Sequence, residues 1–311
     1  METEILNWLR DNLPEHLRLN LGIGDDAAIL DWSLSPHCLI TTDMLSDDVD
    51  FRWGIDSPHA IGHKALAVNL SDLAAMAVKP VAAVIAIAIP HPTLPQDIGQ
   101  LFEGILSLAS QFDVAIAGGD LQVWDGPLSI TITALGEPTQ NEPLRRAGAQ
   151  PGDGIIVTGA FGGSILGRHL DFLPRVQEAL LLNSQYLLHA AIDVSDGLSL
   201  DLARLCEESR CGAVIDLETI PVTNAARQLA TSSSEEKTAL EHALGDGEDF
   251  ELILTGANDE INRLINEQPL KIPVTRIGTI TKQLGLWNGI AGVPKEALQP
   301  RGYVHGQQEM S

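Results

Sequence analysis

The run Ser57-Pro58-His59-Ala60-Ile61-Gly62-His63-Lys64-Ala65-Leu66-Ala67-Val68-Asn69-Leu70-Ser71-Asp72-Leu73-Ala74-Ala75-Met76-Ala77-Val78, followed after Lys79-Pro80 by Val81-Ala82-Ala83-Val84-Ile85-Ala86-Ile87-Ala88-Ile89, decides what fold this chain can adopt. Its first part predicts a helix over Ser57–Val78. Ser57 can cap it, and Pro58 suits a first turn, where a missing N–H loses no bond. Leu66, Leu70, Leu73, Ala74 and Ala77 recur at helical spacing and should face a core. Asn69 and Asp72 fall beside that stripe, at a rim where polar groups can serve a ligand or satisfy backbone. The second part, Val81–Ile89, is an unbroken apolar run between prolines, the pattern of a strand buried on both faces.

Working outward, the alternation of helix and strand continues on both sides. Upstream, Glu4–Leu13 reads as a short helix stopped near Pro14, and Leu17–Gly22, Ala27–Asp31 and Cys38–Thr42 read as strands. Downstream, Gln96–Phe112 reads as a helix, Val114–Ala117 as a short strand, and Leu128–Ala134 as an alternating one able to build a dimer sheet. Glycines and prolines cluster between Gly136 and Asp153, which places a boundary between domains of residues 1–143 and 144–311. Beyond it, strands are expected at Ile155–Val157, Ala190–Asp193, Ala213–Leu217, Phe250–Thr255 and Val274–Ile280. Helices are expected over Arg175–His189, after Leu198, over Ser234–Ala243 and over Asp259–Asn266. The expected class is α/β in two domains.

Composition narrows the function. The chain of 311 residues carries 42 acidic against 19 basic residues, a formal charge of −23, which argues against nucleic acid or an anionic membrane as partner. No apolar run is long enough to span a bilayer, and the acidic N-terminus does not resemble a signal peptide. The cysteines Cys38, Cys206 and Cys211 form no C-x-x-C pair, which points to a reducing, cytoplasmic setting.

The chemistry sits in a repeated device. Carboxylates are expected at the ends of apolar segments in Gly24-Asp25-Asp26, Thr41-Thr42-Asp43, Asn69-Leu70-Ser71-Asp72, Gly118-Gly119-Asp120, Asp193-Val194-Ser195-Asp196 and Asp246-Gly247-Glu248-Asp249. Asp, Thr and Ser oxygens form a hard-cation ligand set of the kind that holds Mg²⁺ against phosphates. Asp196 also fits an ordinary helix cap. Thr158-Gly159-Ala160-Phe161-Gly162-Gly163-Ser164 lacks the Gly-Lys-Ser/Thr ending of a P-loop, and suits a tight turn as well as a phosphate cradle.

Taken in order, Gly22–Asp26, Lys64–Met76, Gly118–Asp120, Ile192–Leu198 and Gly247–Leu252 resemble the thiamine-monophosphate kinase family, in the superfamily of aminoimidazole ribonucleotide synthetase. The resemblance implies a homodimer of two-domain α/β chains without a P-loop. The N-terminal mixed sheet with helices would dimerise through its strands, and the C-terminal domain would be sandwich-like. It implies ATP as co-substrate, several Mg²⁺ ions and thiamine monophosphate as acceptor. Carried onto this chain, Asp26, Thr41, Thr42, Asp43, Asp72, Asp120, Asp193 and Asp196 would ligate metal. Thr41, Gly119, Asp120, Arg146 and Ser195 would contact ATP, and Asp50, Glu248 and Tyr303 the acceptor. Asp72, Asp120, Asp193 and Arg146 would carry the chemistry. Asp50 stands where the family commonly has a histidine. Two other readings stay open: another ATP-using branch of the superfamily, and a non-catalytic acidic protein that binds nucleotide or cations.

Overall fold

The computed structural model describes residues 8–9, 11–21, 28–32, 37–232 and 237–304. The chain divides into two compact units, one of Met1–Leu73, Val78–Gln140 and Leu170–Pro174, the other of Ala74–Ala77, Asn141–His169 and Arg175–Ser311.

The first unit opens with β1 (Leu19–Leu21) and β2 (Ile29–Leu30), paired antiparallel. β3 (Leu39–Ser46), α1 (Pro58–Ala75), β4 (Lys79–Pro90), α2 (Pro95–Phe112), β5 (Ala115–Trp124) and β6 (Ser129–Glu137) come next. The four-stranded sheet has the order β3-β6-β4-β5, with β4–β5 parallel and the other pairs antiparallel. This is the mixed sheet with helices that the family resemblance implies.

α1 is buried around almost its whole circumference, Lys64 and Asn69 included, rather than along one stripe. It crosses α2 at two glycines. A Cβ on Gly62 would stand 1.9 Å from the Leu101 carbonyl oxygen, and one on Gly104 would stand 2.0 Å from that of His59. Only glycine lets the two backbones touch there. His63 Nε2 bonds the Phe172 carbonyl at 2.8 Å, a structural role.

The expectation that Val81–Ile89 is buried on both faces is wrong. Val81, Ile85, Ile87 and Ile89 are buried, but Val84 and Ala86 are exposed. An apolar run does not reveal which of its faces lacks a cover, because alanine and valine suit both environments. The outward face of the sheet also carries Ile40 and Met44, each 65% exposed.

The second unit contains β7 (Gly154–Thr158), α3 (Arg168–Asp171), α4 (Val176–Gln185), β8 (Leu188–Asp193), α5 (Leu198–Glu208), β9 (Gly212–Ile215), α6 (Asn224–Ser232), α7 (Ala239–Gly245), β10 (Leu252–Gly256), α8 (Asn258–Glu267), β11 (Val274–Thr281), β12 (Gly285–Ile290) and β13 (Val293–Leu298). Its seven-stranded sheet runs β13-β12-β9-β11-β7-β10-β8, antiparallel except where β12 meets β9. Leu198, Leu202, Leu205 and Cys206 of α5 pack with Ile155, Ile192, Ile215 and Ile253 of the sheet in one core. α7 starts at Ala239, capped by a reciprocal pair of Thr238 and Glu241, rather than at Ser234, which lies outside the described residues. The long helix expected over Arg175–His189 stops at Gln185, and β8 begins at Leu188. No helix among the described residues is long and apolar enough to cross a membrane.

Candidate active site

In the first unit, α1 brings Asp72 against the inward face of β3. Thr41 Oγ1 donates to Asp72 Oδ2, and Asp43 shares a hydrogen bond with the same carboxylate. Burial pushes the Asp43 carboxyl up to about 7; the charge of Asp72, its hydrogen bond and the charge of Asp50 act in the same direction. Two neighbouring, partly buried carboxyl groups cannot both ionise cheaply, which favours the protonated form of Asp43. Two carboxylates and a hydroxyl are hard oxygen donors, and a divalent ion would replace that proton. The donor set therefore fits magnesium.

Asp50 lies in the turn after β3. Its Oδ2 accepts from the Ser46 amide at 2.7 Å, and its carbonyl accepts from the buried Lys64 ammonium at 2.6 Å. One carboxylate oxygen of Asp50 is thus committed to the turn itself.

Thr42 and Asp120 fall on the opposite face of the sheet. Thr42 pairs with Thr133, and their hydroxyls bond at 3.0 Å. Asp120 lies in the row Met44, Thr131, Ala86, Asp120. β3 and β5 are the two edges of the sheet, about 14 Å apart at ordinary strand spacing. One chain therefore does not bring Asp120 to the Asp43–Asp72 pair. The sequence places Asp43 and Asp120 at strand ends, yet both lie within strands. The register slips by one residue between Ala83 and Val84, where β5 advances from Ile116 to Gly118, and this bulge re-aims the side chains beyond it. Gly119 is needed there, since a Cβ would stand 1.8 Å from the Ile85 carbonyl oxygen.

In the second unit, Ser195, Asp196, Glu248 and Tyr303 come together through main chain. The Glu248 amide donates to the Ser195 carbonyl at 2.6 Å, and the Tyr303 amide donates to the Asp196 carbonyl at 2.8 Å. Asp193 is buried at the end of β8, one strand over from β10. Glu248 and Phe250 have φ of 54° and 49°, left-handed conformations that cost non-glycine residues energy and concentrate at functional sites.

The reading of Asp196 as a cap is corrected. Gly197 occupies the cap position of α5, and Asp201 reaches back to accept from the amides of Asp196 at 2.9 Å and Gly197 at 3.1 Å. Asp196 instead faces Arg204, which also donates to Asp201 Oδ1 at 2.7 Å. Burial pushes the Asp201 carboxyl up to about 6. Sequence reasoning missed Asp201 and Arg204; their i, i+3 spacing on a helix opening beside Asp196 is the signal that could have found them.

The glycine-rich loop after β7 is no phosphate cradle, because its amides are used internally. The Gly162 amide donates to Asp249 Oδ1 and Oδ2 at 2.9 and 3.0 Å, and the Gly163 amide donates to Asp246 Oδ2 at 3.0 Å. Beneath it, Glu251 is buried between two guanidinium groups. Arg175 donates to it at 2.6 and 2.7 Å, Arg168 also donates, and Thr158 Oγ1 donates at 2.7 Å. Together these bonds hold the Gly247–Phe250 turn in its strained shape.

Arg146 is exposed, and its carbonyl lies at the C-terminal end of α5, while Asp196 lies beyond the N-terminal end, about 16 Å away for an eleven-residue helix. A cleft of about 770 Å³ lined by Asn141, Arg145, Asn183, Tyr186 and His189 opens at the start of β8, away from Asp193 at its end. Among the described residues, no three His, Cys, Asp or Glu side chains converge as a metal cluster. Asp26 lies outside the described residues.

The sheet of the first unit and the carboxylate-bearing turns of both units define a class. The family model described as AIR synthase related protein, N-terminal domain, matches residues 24–137, and that for the C-terminal domain matches residues 159–286. Among relatives, the thiamine-monophosphate kinase of Rhodopirellula baltica is 46% identical over 100% of this chain and 99% of its own length. The crystal structure of thiamine-monophosphate kinase from Stenotrophomonas maltophilia K279a is 33% identical with a TM-score of 0.77, covering 92% of this chain and 94% of that one. AaThiL complexed with AMPPCP and TMP is 25% identical with a TM-score of 0.75, covering 86% and 87%. The chain belongs to the thiamine-monophosphate kinase family.

Proposed function

We propose that this chain transfers the terminal phosphoryl group of ATP to thiamine monophosphate, giving thiamine diphosphate and ADP. The observation that carries the reading is the end-to-end match to the Rhodopirellula baltica kinase at 46% identity. The oxygen-donor cluster of Thr41, Asp43 and Asp72 supports it chemically.

The acceptor is a phosphate monoester with about −1.5 to −2 charges near neutral pH, so its oxygen attacks without a catalytic base. The obstacle is repulsion: two like unit charges ~4 Å apart cost about 4 kcal/mol at an effective dielectric of 20. Magnesium, when bound, supplies the positive charge that offsets this and stabilises the in-line transition state. Thr41, Asp43 and Asp72 would hold it on the inward face of the first unit's sheet and Asp193 and Asp196 in the second unit, while Thr42 and Asp120, on the outward face, would join them only through the second copy of a dimer, and Asp26 would be a further ligand. Gly119, Arg146 and Ser195 would contact ATP, the Arg146 guanidinium matching phosphate oxygens. Glu248 and Asp50 place negative charge for the thiazolium cation, and Tyr303, half exposed, offers it a ring.

The working form in this reading is a homodimer built on the outward sheet face. Ile40, Met44 and Val84 are too much exposed apolar surface for a sheet face that stays wet. The compartment is the cytoplasm, where the exposed Cys38 thiol stays reduced. A coupled ADP-release assay with thiamine monophosphate, thiamine and aminoimidazole ribonucleotide precursors tests the activity. Turnover with thiamine monophosphate alone is expected, and equal turnover with a ribonucleotide precursor would move the chain to another branch.

A further inference from the structure

We propose that Ser209 is a positioning residue for the Arg145–Ala149 loop, and through it for Arg146; the inference rests on the reading of Arg146 as an ATP contact. α5 ends in a left-handed turn in which Arg210 has a φ of 53°, its amide bonds the Glu207 carbonyl at 3.0 Å and the Cys211 amide bonds the Cys206 carbonyl at 2.9 Å. This is a Schellman closure, and it fixes the direction in which the last helical residues project. Ser209 is the final right-handed residue before it, with φ −85° and ψ −4°.

A serine at a helix end commonly bonds its own backbone neighbourhood. The Ser209 hydroxyl leaves its helix instead. It donates to the Arg146 carbonyl at 2.7 Å and accepts from the amides of Gly148 and Ala149, each at 3.1 Å. One donor and two acceptor sites are the whole capacity of a hydroxyl, and all three serve this one loop.

The loop is held from its other side by β8. The Ala191 amide donates to the Arg145 carbonyl at 2.9 Å, and at Gly148, with φ 139°, a Cβ would stand 2.3 Å from the His189 carbonyl oxygen. The main chain of Arg146 is thus clamped between a strand and the end of α5, while its side chain stays exposed. A guanidinium meeting phosphate in a fork geometry tolerates little displacement, so the clamp bears on affinity for the nucleotide rather than on the acceptor.

The test uses the full-length protein with Ser209→Ala, Ser209→Thr and Arg146→Ala, measuring KM for ATP, KM for thiamine monophosphate, kcat and thermal melting. Ser209→Ala is expected to raise KM for ATP by about tenfold, with KM for thiamine monophosphate and the melting temperature close to the parent values. Ser209→Thr, which keeps the hydroxyl, is expected to recover most of the loss. If Arg146→Ala raises KM for ATP and Ser209→Ala does not, the positioning role is overturned while the site reading survives. If Arg146→Ala leaves KM for ATP unchanged, the assignment of Arg146 fails and takes the inference with it. A uniform fall in kcat with a lowered melting temperature in Ser209→Ala, not rescued by threonine, assigns the serine to structure alone and also overturns it.

Discussion

At the scale of single residues, the carboxylates divide into those that the proposed function assigns to a cation and those that serve the fold. Asp43 and Asp72 crowd each other on the inward face of β3, and charge neutralisation there is what phosphoryl transfer requires. Asp72→Asn is expected to lower turnover by about 100-fold or more, read as kcat in the ADP-release assay, with little loss of thermal stability. Glu251 is the contrary case. Itself fully buried but held by partly exposed guanidinium groups, it should cost about 1–3 kcal/mol of stability when changed to Ala, since Arg168, Arg175 and Thr158 lose a charged acceptor; urea titration measures this. Asp249 gives a pH signature. Burial lifts its carboxyl from 3.8 to about 7, against the Gly162 amide and the charge of Arg168, while Glu251 and Asp246 push it further up. Between those values the unfolded chain is ionised and the folded one is not, so this contribution is full below pH 3.8 and lost as pH rises through about 7. The difference in unfolding free energy between the parent and Asp249→Asn should therefore change across that window and level off above it. A difference that stays flat from acid to neutral pH refutes the buried, protonated state.

At the scale of elements, the helix–helix crossing of the first unit depends on two hydrogens. A methyl group on Gly62 would have to displace the Leu101 carbonyl, 1.9 Å from the ideal Cβ position. Gly62→Ala is expected to destabilise the protein by about 1–3 kcal/mol, seen as a lowered melting temperature. Much of this level was legible in the sequence. The helix beginning at Pro58, its buried Leu66, Leu70 and Leu73, and the alternation of Ile130 and Ile132 with Thr131 and Thr133 all arise from spacing that local periodicity reports directly. What failed to show were tertiary choices. β5 runs on through Gly118-Gly119-Asp120 to Trp124, because a bulge lets it keep pairing with β4 where glycines suggest a stop. The amides of Gly162 and Gly163 are consumed by carboxylates more than 80 positions away in sequence, which no local pattern reveals. The pairing of Arg204 with Asp196 likewise depends on the sharp turn at Gly197.

At the scale of the whole molecule, net charge and an open sheet face set the working state. A chain with a formal charge of −23 repels both of its substrates in this reading, so activity should fall with loss of divalent cation far more steeply than with added monovalent salt. The outward face carrying Ile40, Met44 and Val84 asks for a cover. In the proposed homodimer, Met44→Asp is expected to shift the protein toward monomer in sedimentation velocity, because a charge would be buried without a partner. In the proposed function, carboxylates dispersed along the sequence serve one phosphoryl transfer through bound magnesium. Its most direct measurement is the rate of thiamine diphosphate formation from ATP and thiamine monophosphate after chelation of divalent ions, and again after Mg²⁺ is restored. A rate near zero in the chelated protein and full recovery with magnesium are expected. An undiminished rate without any divalent ion would contradict that role of magnesium.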